Sequence, residues 1–287
     1  MKIENNKYIV TFCKEGGEIA SFTNKETGMQ YMYQGDSEYW SGKNPTLFPI
    51  IGNTYDGSYE INGNRYQFKN HGLIRYATLQ CIEEKAEEIT FELKSDEETL
   101  KAYPFAFTYR ISYILKENVL SINYEIINDD KKDMPFTFGL HPGFNVPLCE
   151  DEKFEDYSLI FDQEENLKQL IFDVNKKEPH HYIDKSMKEW NLNYKDMDEY
   201  ATLIYKNMSS DFVTLKGKQG HGVKMSIKGF PFLAIWSPKE RAPFLCIEPW
   251  YSHADFEKVE VPFAQRCGMM TLKPQEVFAT SYTIEVF

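Results

Sequence analysis

The chain has 287 residues and a formal net charge of -12, and 42% of it is hydrophobic and 15% aromatic. Neutralising phosphates requires Lys and Arg in excess, and an anionic surface has no attraction for anionic lipid, so nucleic acid and membrane are both excluded as partners. The stretch Met1–Tyr8 has no apolar h-region, and no apolar run approaches the length of a membrane span. Cys13, Cys81, Cys149, Cys246 and Cys267 are odd in number and lack CxxC spacing, so they are expected to be reduced thiols in a cytoplasmic protein.

In chain order, the first strand is expected near residues 7–13. A tight turn follows at Ile61-Asn62-Gly63-Asn64 and another strand at 88–94. Asp96–Tyr103 reads as a short helix. From Phe107 to Leu115 apolar residues fall at every second position, and the pattern resumes from Leu120 to Ile126 after Lys116-Glu117-Asn118. That is a long hairpin. Asp184–Tyr200 reads as a second helical segment. Strands are expected at 211–216, 222–228, 232–236 and 244–248, and a last one places Phe278, Thr280, Tyr282, Ile284 and Val286 on one face. Helix–strand alternation is missing, as are internal repeats and low-complexity linkers. The expectation is an all-β chain, one large antiparallel β-sandwich domain over 1–287.

Three segments carry polar residues where an apolar chain does not want them. Glu248, in Leu245-Cys246-Ile247-Glu248-Pro249-Trp250, is a carboxylate inside an apolar run. It is either the wet or paired end of an edge strand, or a group in use, because uncompensated burial costs several kcal/mol. His141 precedes Pro142, which restricts it to extended backbone. His71 precedes Gly72 at a strand end, with Arg75 four residues on. Each histidine alone reads first as a core imidazole bonded to backbone, and Arg75 as a surface charge or a ligand clamp.

Other segments resolve more plainly. Gly217–Gly222 looks like a phosphate loop but runs into the alternating Val223, Met225 and Ile227, so a hairpin turn is expected. His180-His181 has no metal-ligand partner at diagnostic spacing. His253 and Asp255 belong to a cleft rim or a solvated loop, Trp236 to the core or a sugar platform, and Trp250 offers an aromatic face beside Glu248.

Taken together, the segments resemble the aldose 1-epimerase (galactose mutarotase) family, and within it the LacX-type branch. The resemblance rests on Phe48-Pro49-Ile50-Ile51-Gly52, His71-Gly72-Leu73-Ile74-Arg75, Pro135–Phe144 and Cys246-Ile247-Glu248-Pro249-Trp250, and runs from Gly16-Gly17-Glu18 to the end. It implies a galactose mutarotase-like supersandwich with an open sugar cleft. It also implies interconversion of the α and β anomers of a hexose without metal or cofactor. Glu248 would be the general base on the anomeric hydroxyl and His141 the general acid on the ring oxygen, with His71 holding that oxygen. Arg75, Asn53, Trp236 and Trp250 are the substrate-binding candidates. The hexose-phosphate branch carries an arginine where this chain has Asn53, which favours a neutral aldose over a hexose 6-phosphate. A non-catalytic sugar-binding or sensing protein is the alternative, and a glycoside hydrolase pairing Glu248 with Asp255 ranks last. The expected assembly is a monomer or homodimer.

Overall fold

The computed structural model describes residues 1–173, 179–200 and 202–287. The central hairpin joins Phe107–Lys116 to Val119–Asn128 through Glu117, which turns at φ 54°. Its register sets Leu115 against Leu120 and Tyr113 against Ile122. Alternation therefore buries one face of both strands while Ile114, Lys116 and Glu125 stay exposed. Val277–Val286 pairs with the other side of Val119–Asn128, and pairing continues outward into a sheet of 15 strands. Among the described residues these strands pair antiparallel throughout.

One buried cluster holds Ile111, Tyr113 and Ile122 from the hairpin and also Leu233, Ile235, Leu245 and Ile247 from strands far along the sheet. The sheet therefore curls over on itself and packs its apolar sides together as a sandwich. Each fully buried aliphatic side chain contributes about 1.5–3 kcal/mol to that closure. The opposite side of the strands near residues 232–250 is left as a floor for something else.

The short elements follow local chemistry. Glu97–Ala102 is a helix with Asp96 and Thr99 forming a capping box. Ser58–Ile61 and Asn64–Gln67 form a hairpin whose two-residue turn, Asn62-Gly63, has φ 52° and 77°. The helix expected over Asp184–Tyr200 is a correction. His181–Asn191 is an 11-residue strand along Tyr157–Ile171, and only Tyr194–Glu199 is helical, capped by Asn193. That strand is largely exposed on both faces and spreads Tyr182, Ile183, Met187 and Trp190 over the two, so it carries no period of two, and pairing with a 15-residue neighbour decides its conformation. No helix among the described residues is long and apolar enough to cross a membrane.

Candidate active site

All seven residues of the strand Phe244–Trp250 are buried. Leu245 and Ile247 enter the main core. Phe244 and Cys246 point the other way, into an aromatic group with Tyr33, Trp40 and Trp236, and Glu248 shares their face by alternation. The strand lies inside the sheet, with Phe232–Trp236 on one side and Gly139–Leu140 and Gly143–Asn145 on the other. Glu248 is therefore not at a sheet edge. Its neighbour across the first pairing is Ala234, small enough to leave the carboxylate room.

On the other side, Gly139 pairs with Trp250 and Gly143 with Cys246. The register is the same on both sides of the unpaired His141-Pro142, so His141 faces Glu248. Pro142 has no N–H to give the ladder, and its carbonyl accepts from Ile247 N–H at 3.2 Å. His141 Nε2 lies 3.3 Å from Glu248 Oε2. Glu248 Oε2 and His141 Nδ1 are both buried without a hydrogen-bond partner. The glycines of the motif make space, since a Cβ on Gly139 would stand 2.8 Å from the Trp250 ring.

His71 is anchored twice. Its N–H donates to Gly52 O at 2.7 Å, and Gly52 N–H donates to His71 Nδ1 at 3.0 Å. An Nδ1 that accepts carries no proton, so the neutral ring holds its proton on Nε2 and is a donor there. The backbone at His71 is left-handed, φ 65°, and Gly72 follows at φ 81° with no room for a side chain: a Cβ would sit 2.2 Å from Phe48 O. The His71 and His141 rings meet edge to face at 5.4 Å.

Two tryptophans complete the wall. Trp40 stacks on His141 at 4.7 Å and Trp236 meets its edge at 5.5 Å. With Asn70, Arg75, Tyr76 and Thr202 these side chains line an open pocket of about 420 Å³ that reaches His71, His141 and Glu248, a size ordinary for a small-molecule site. Sequence reasoning missed Trp40, Asn70, Tyr76 and Thr202. Trp40 lies against Gly42, where a Cβ would stand 2.4 Å from the indole, a packing that no pattern in the sequence marks.

Burial sets the protonation states. It pushes Glu248 well above the usual carboxylate range, opposed by the Trp250 indole and the Arg75 charge. It pushes His141 well below the usual imidazole range, helped by His71 and Arg75. His71 goes down to about 3, from burial first and Arg75 second. Both rings are thus neutral near pH 7, and Glu248 holds a proton more readily than a solvated carboxylate. Arg75 is the single Lys or Arg side chain lining the pocket among the described residues.

The remaining candidates lie elsewhere. Asn53 lines a neighbouring cavity of about 160 Å³ with His253, Asp255 and Arg266. Asp255 and Arg266 form a mostly buried ion pair at 2.5 Å, and Asp255 does not line the Glu248 pocket. Trp250 is packed rather than open, its indole N–H donating to Leu140 O at 3.1 Å. His180 pairs with Glu257 at 2.8 Å. Gly217–Gly222 is the turn between Phe212–Gly217 and Gly222–Ser226, and its His221 bonds Glu152 and Tyr157.

Comparison with known proteins gives one family. The aldose 1-epimerase family model matches residues 1–280. The plasmid-encoded Protein LacX of Lactococcus lactis subsp. lactis is 30% identical over 264 residues, 87% of each chain. A galactose mutarotase related enzyme of Lactobacillus acidophilus superposes with a TM-score of 0.91 at 29% identity, covering 100% of this chain and 97% of that one. A galactose mutarotase-like protein of Lactobacillus casei gives 0.90 at 28% identity, covering 100% and 99%.

Proposed function

The chain belongs to the aldose 1-epimerase family, and from that premise we propose that it is a mutarotase acting on a neutral aldose. Changing anomers requires opening the hemiacetal, turning about C1–C2 and closing on the other face. One proton must leave the anomeric oxygen while another reaches the ring oxygen. The pair carries one proton, held on Glu248 at rest; moved across to His141, it leaves a carboxylate that takes the first proton and an imidazolium that delivers the second, as the C1–O bond to the ring oxygen breaks and the aldehyde forms. His71 Nε2–H donates a hydrogen bond to the ring oxygen and steadies it. Reclosure runs the same steps backward on the opposite face of the aldehyde.

The observation that carries this reading is the approach of His141 Nε2 to Glu248 Oε2 at 3.3 Å in an aromatic-walled pocket. A proton gained by Glu248 returns to His141 across that gap, which resets the pair after each turnover. The two groups titrate as one system for the same reason. Acid and base each supply about 10²–10⁴-fold. Trp40 and Trp236 offer apolar faces to the C–H side of a sugar ring, and Arg75 binds hydroxyl oxygens.

A neutral sugar is favoured over a hexose 6-phosphate because, among the described residues, Arg75 is the single Lys or Arg lining the pocket, whereas a phosphate dianion calls for a bidentate or paired clamp. Polarimetry of freshly dissolved α-glucose and α-galactose tests the proposal. Decay of rotation at the buffer rate across a panel of aldoses would overturn it.

A further inference from the structure

The face of the Phe244–Trp250 strand that carries Glu248 also carries Cys246, two residues back. Cys246 does no work in the acid–base chemistry above. Its thiol is fully buried beside Tyr33, Phe244 and the two tryptophans. Yet Cys246, His141 and Glu248 each present one ligand atom, and the three atoms lie within 4.8 Å of one another. Side chains of three different chemistries, two from the Phe244–Trp250 strand and one from the unpaired link before Gly143, converge on one point beneath the pocket floor.

We propose that His141, Cys246 and Glu248 form a binding site for Zn²⁺ or a similar soft divalent cation, and that occupancy switches the enzyme off by tying up its acid and base. This rests on the mutarotase reading for the inhibition but not for the binding. Imidazole, thiolate and carboxylate are the three side-chain types zinc takes, and three protein ligands leave the fourth position open toward the pocket. In a tetrahedral site with bonds of about 2.0–2.1 Å, nitrogen and oxygen ligands stand about 3.3–3.4 Å apart. His141 Nε2 and Glu248 Oε2 stand 3.3 Å apart.

The polar bookkeeping supports the same point. Glu248 Oε2 is buried with no hydrogen-bond donor, and its residue is 1% exposed. A buried carboxyl oxygen left without a donor is what a cation satisfies. The second such cluster among the described residues, Cys149, Glu152 and His221, behaves differently. There Glu152 already accepts from Tyr157, His221 and Gln219 N–H, so its oxygens are spoken for. Binding at the first cluster forms three metal–ligand bonds in place of bonds to hydration water, and sends the thiol proton and the proton held on Glu248 to solvent.

The test is calorimetric titration of the purified full-length chain with Zn²⁺, and absorption after loading with Co²⁺, for wild type, Cys246→Ala and Cys149→Ala. One Zn²⁺ should bind per wild-type chain. Cys246→Ala should weaken it at least 10-fold and remove the thiolate-to-cobalt absorption band, and Cys149→Ala should do neither. Mutarotation of wild type should fall with Zn²⁺ and return with chelator, while Cys246→Ala turns over at the wild-type rate and resists the metal. Binding unchanged in Cys246→Ala, binding lost in Cys149→Ala, no binding at all, or activation by Zn²⁺ would each overturn the proposal. Because the calorimetric and cobalt signals need no turnover, a protein that binds zinc but does not mutarotate sinks the enzymatic reading alone.

Discussion

His141 and Glu248 stand opposite each other in an antiparallel register that holds on both sides of Pro142, with Nε2 and Oε2 3.3 Å apart. Backbone pairing fixes the spacing, so it depends little on loop conformation. The proline breaks the ladder at the one place where two polar side chains need to lean over the sheet face. Ala234 on the far side of the strand leaves that face open.

Glu248→Gln keeps the shape and removes the base. The rate of aldose mutarotation should drop about 10²–10⁴-fold. Stability should hold or rise, because the buried carboxylate has an oxygen without a donor. Polarimetry and a denaturant melt on the same preparation check both halves. Activity surviving within a few-fold would remove Glu248 from the chemistry.

Gly72→Ala should destabilise the fold by about 2–4 kcal/mol, from a left-handed alanine and a Cβ driven into backbone. The clash is with Phe48 O at 2.2 Å, which cannot rotate away. The same push moves His71 off Gly52, so kcat should fall with the melting midpoint. A variant as stable as wild type would mean the segment is not held as described.

His71 makes the fold acid-sensitive. Its unfolded form takes a proton near pH 6.5, whereas the folded form resists until about 3. Stability from this group is therefore complete above 6.5 and is lost as pH falls from there toward 3. Part of the residue is open to the pocket, so between pH 6.5 and 4.5 the loss attributable to it should be about 1–2 kcal/mol. Urea midpoints at both pH values for wild type and His71→Gln measure it. An equal loss in the two proteins would contradict the assignment.

Arg75 separates substrate classes. Neutral hexoses should show higher kcat/KM than their 6-phosphates, and Arg75→Gln should raise KM about 10-fold with a smaller effect on kcat, as one charge-assisted contact is worth about 1.5–3 kcal/mol. Initial-rate kinetics on paired neutral and phosphorylated hexoses decide it. Preference for the phosphates would point to a cationic contact outside the described pocket.

Much of the fold was readable because burial imposes a period. The Phe107–Lys116 hairpin and the C-terminal strand alternate cleanly, since one face meets the core and the other meets water or a neighbouring polar chain. His181–Asn191 was not readable, because an edge strand largely exposed on both faces offers no contrast. Glu248, His71 and His141 stood out as polar groups lodged among apolar and turn residues. Trp40 did not, because a tryptophan in a turn is ambiguous until its partner His141 is in place. Asn53 was a substrate-binding candidate because the family's hexose-phosphate branch carries an arginine at that position. The chain at Gly52 turns, φ 63°, so that Gly52 contacts His71 while Asn53 lines the next cavity.

The most direct test of the central claim is exchange between the two anomers at equilibrium, followed by magnetisation transfer between their H1 protons in the presence of the protein. Wild type should accelerate exchange of glucose or galactose far above the buffer rate, and Glu248→Gln should return it nearly to that rate. Exchange no faster than buffer for every neutral aldose, with sugar binding still detectable by calorimetry, would make this a sugar-binding protein and contradict the catalytic account.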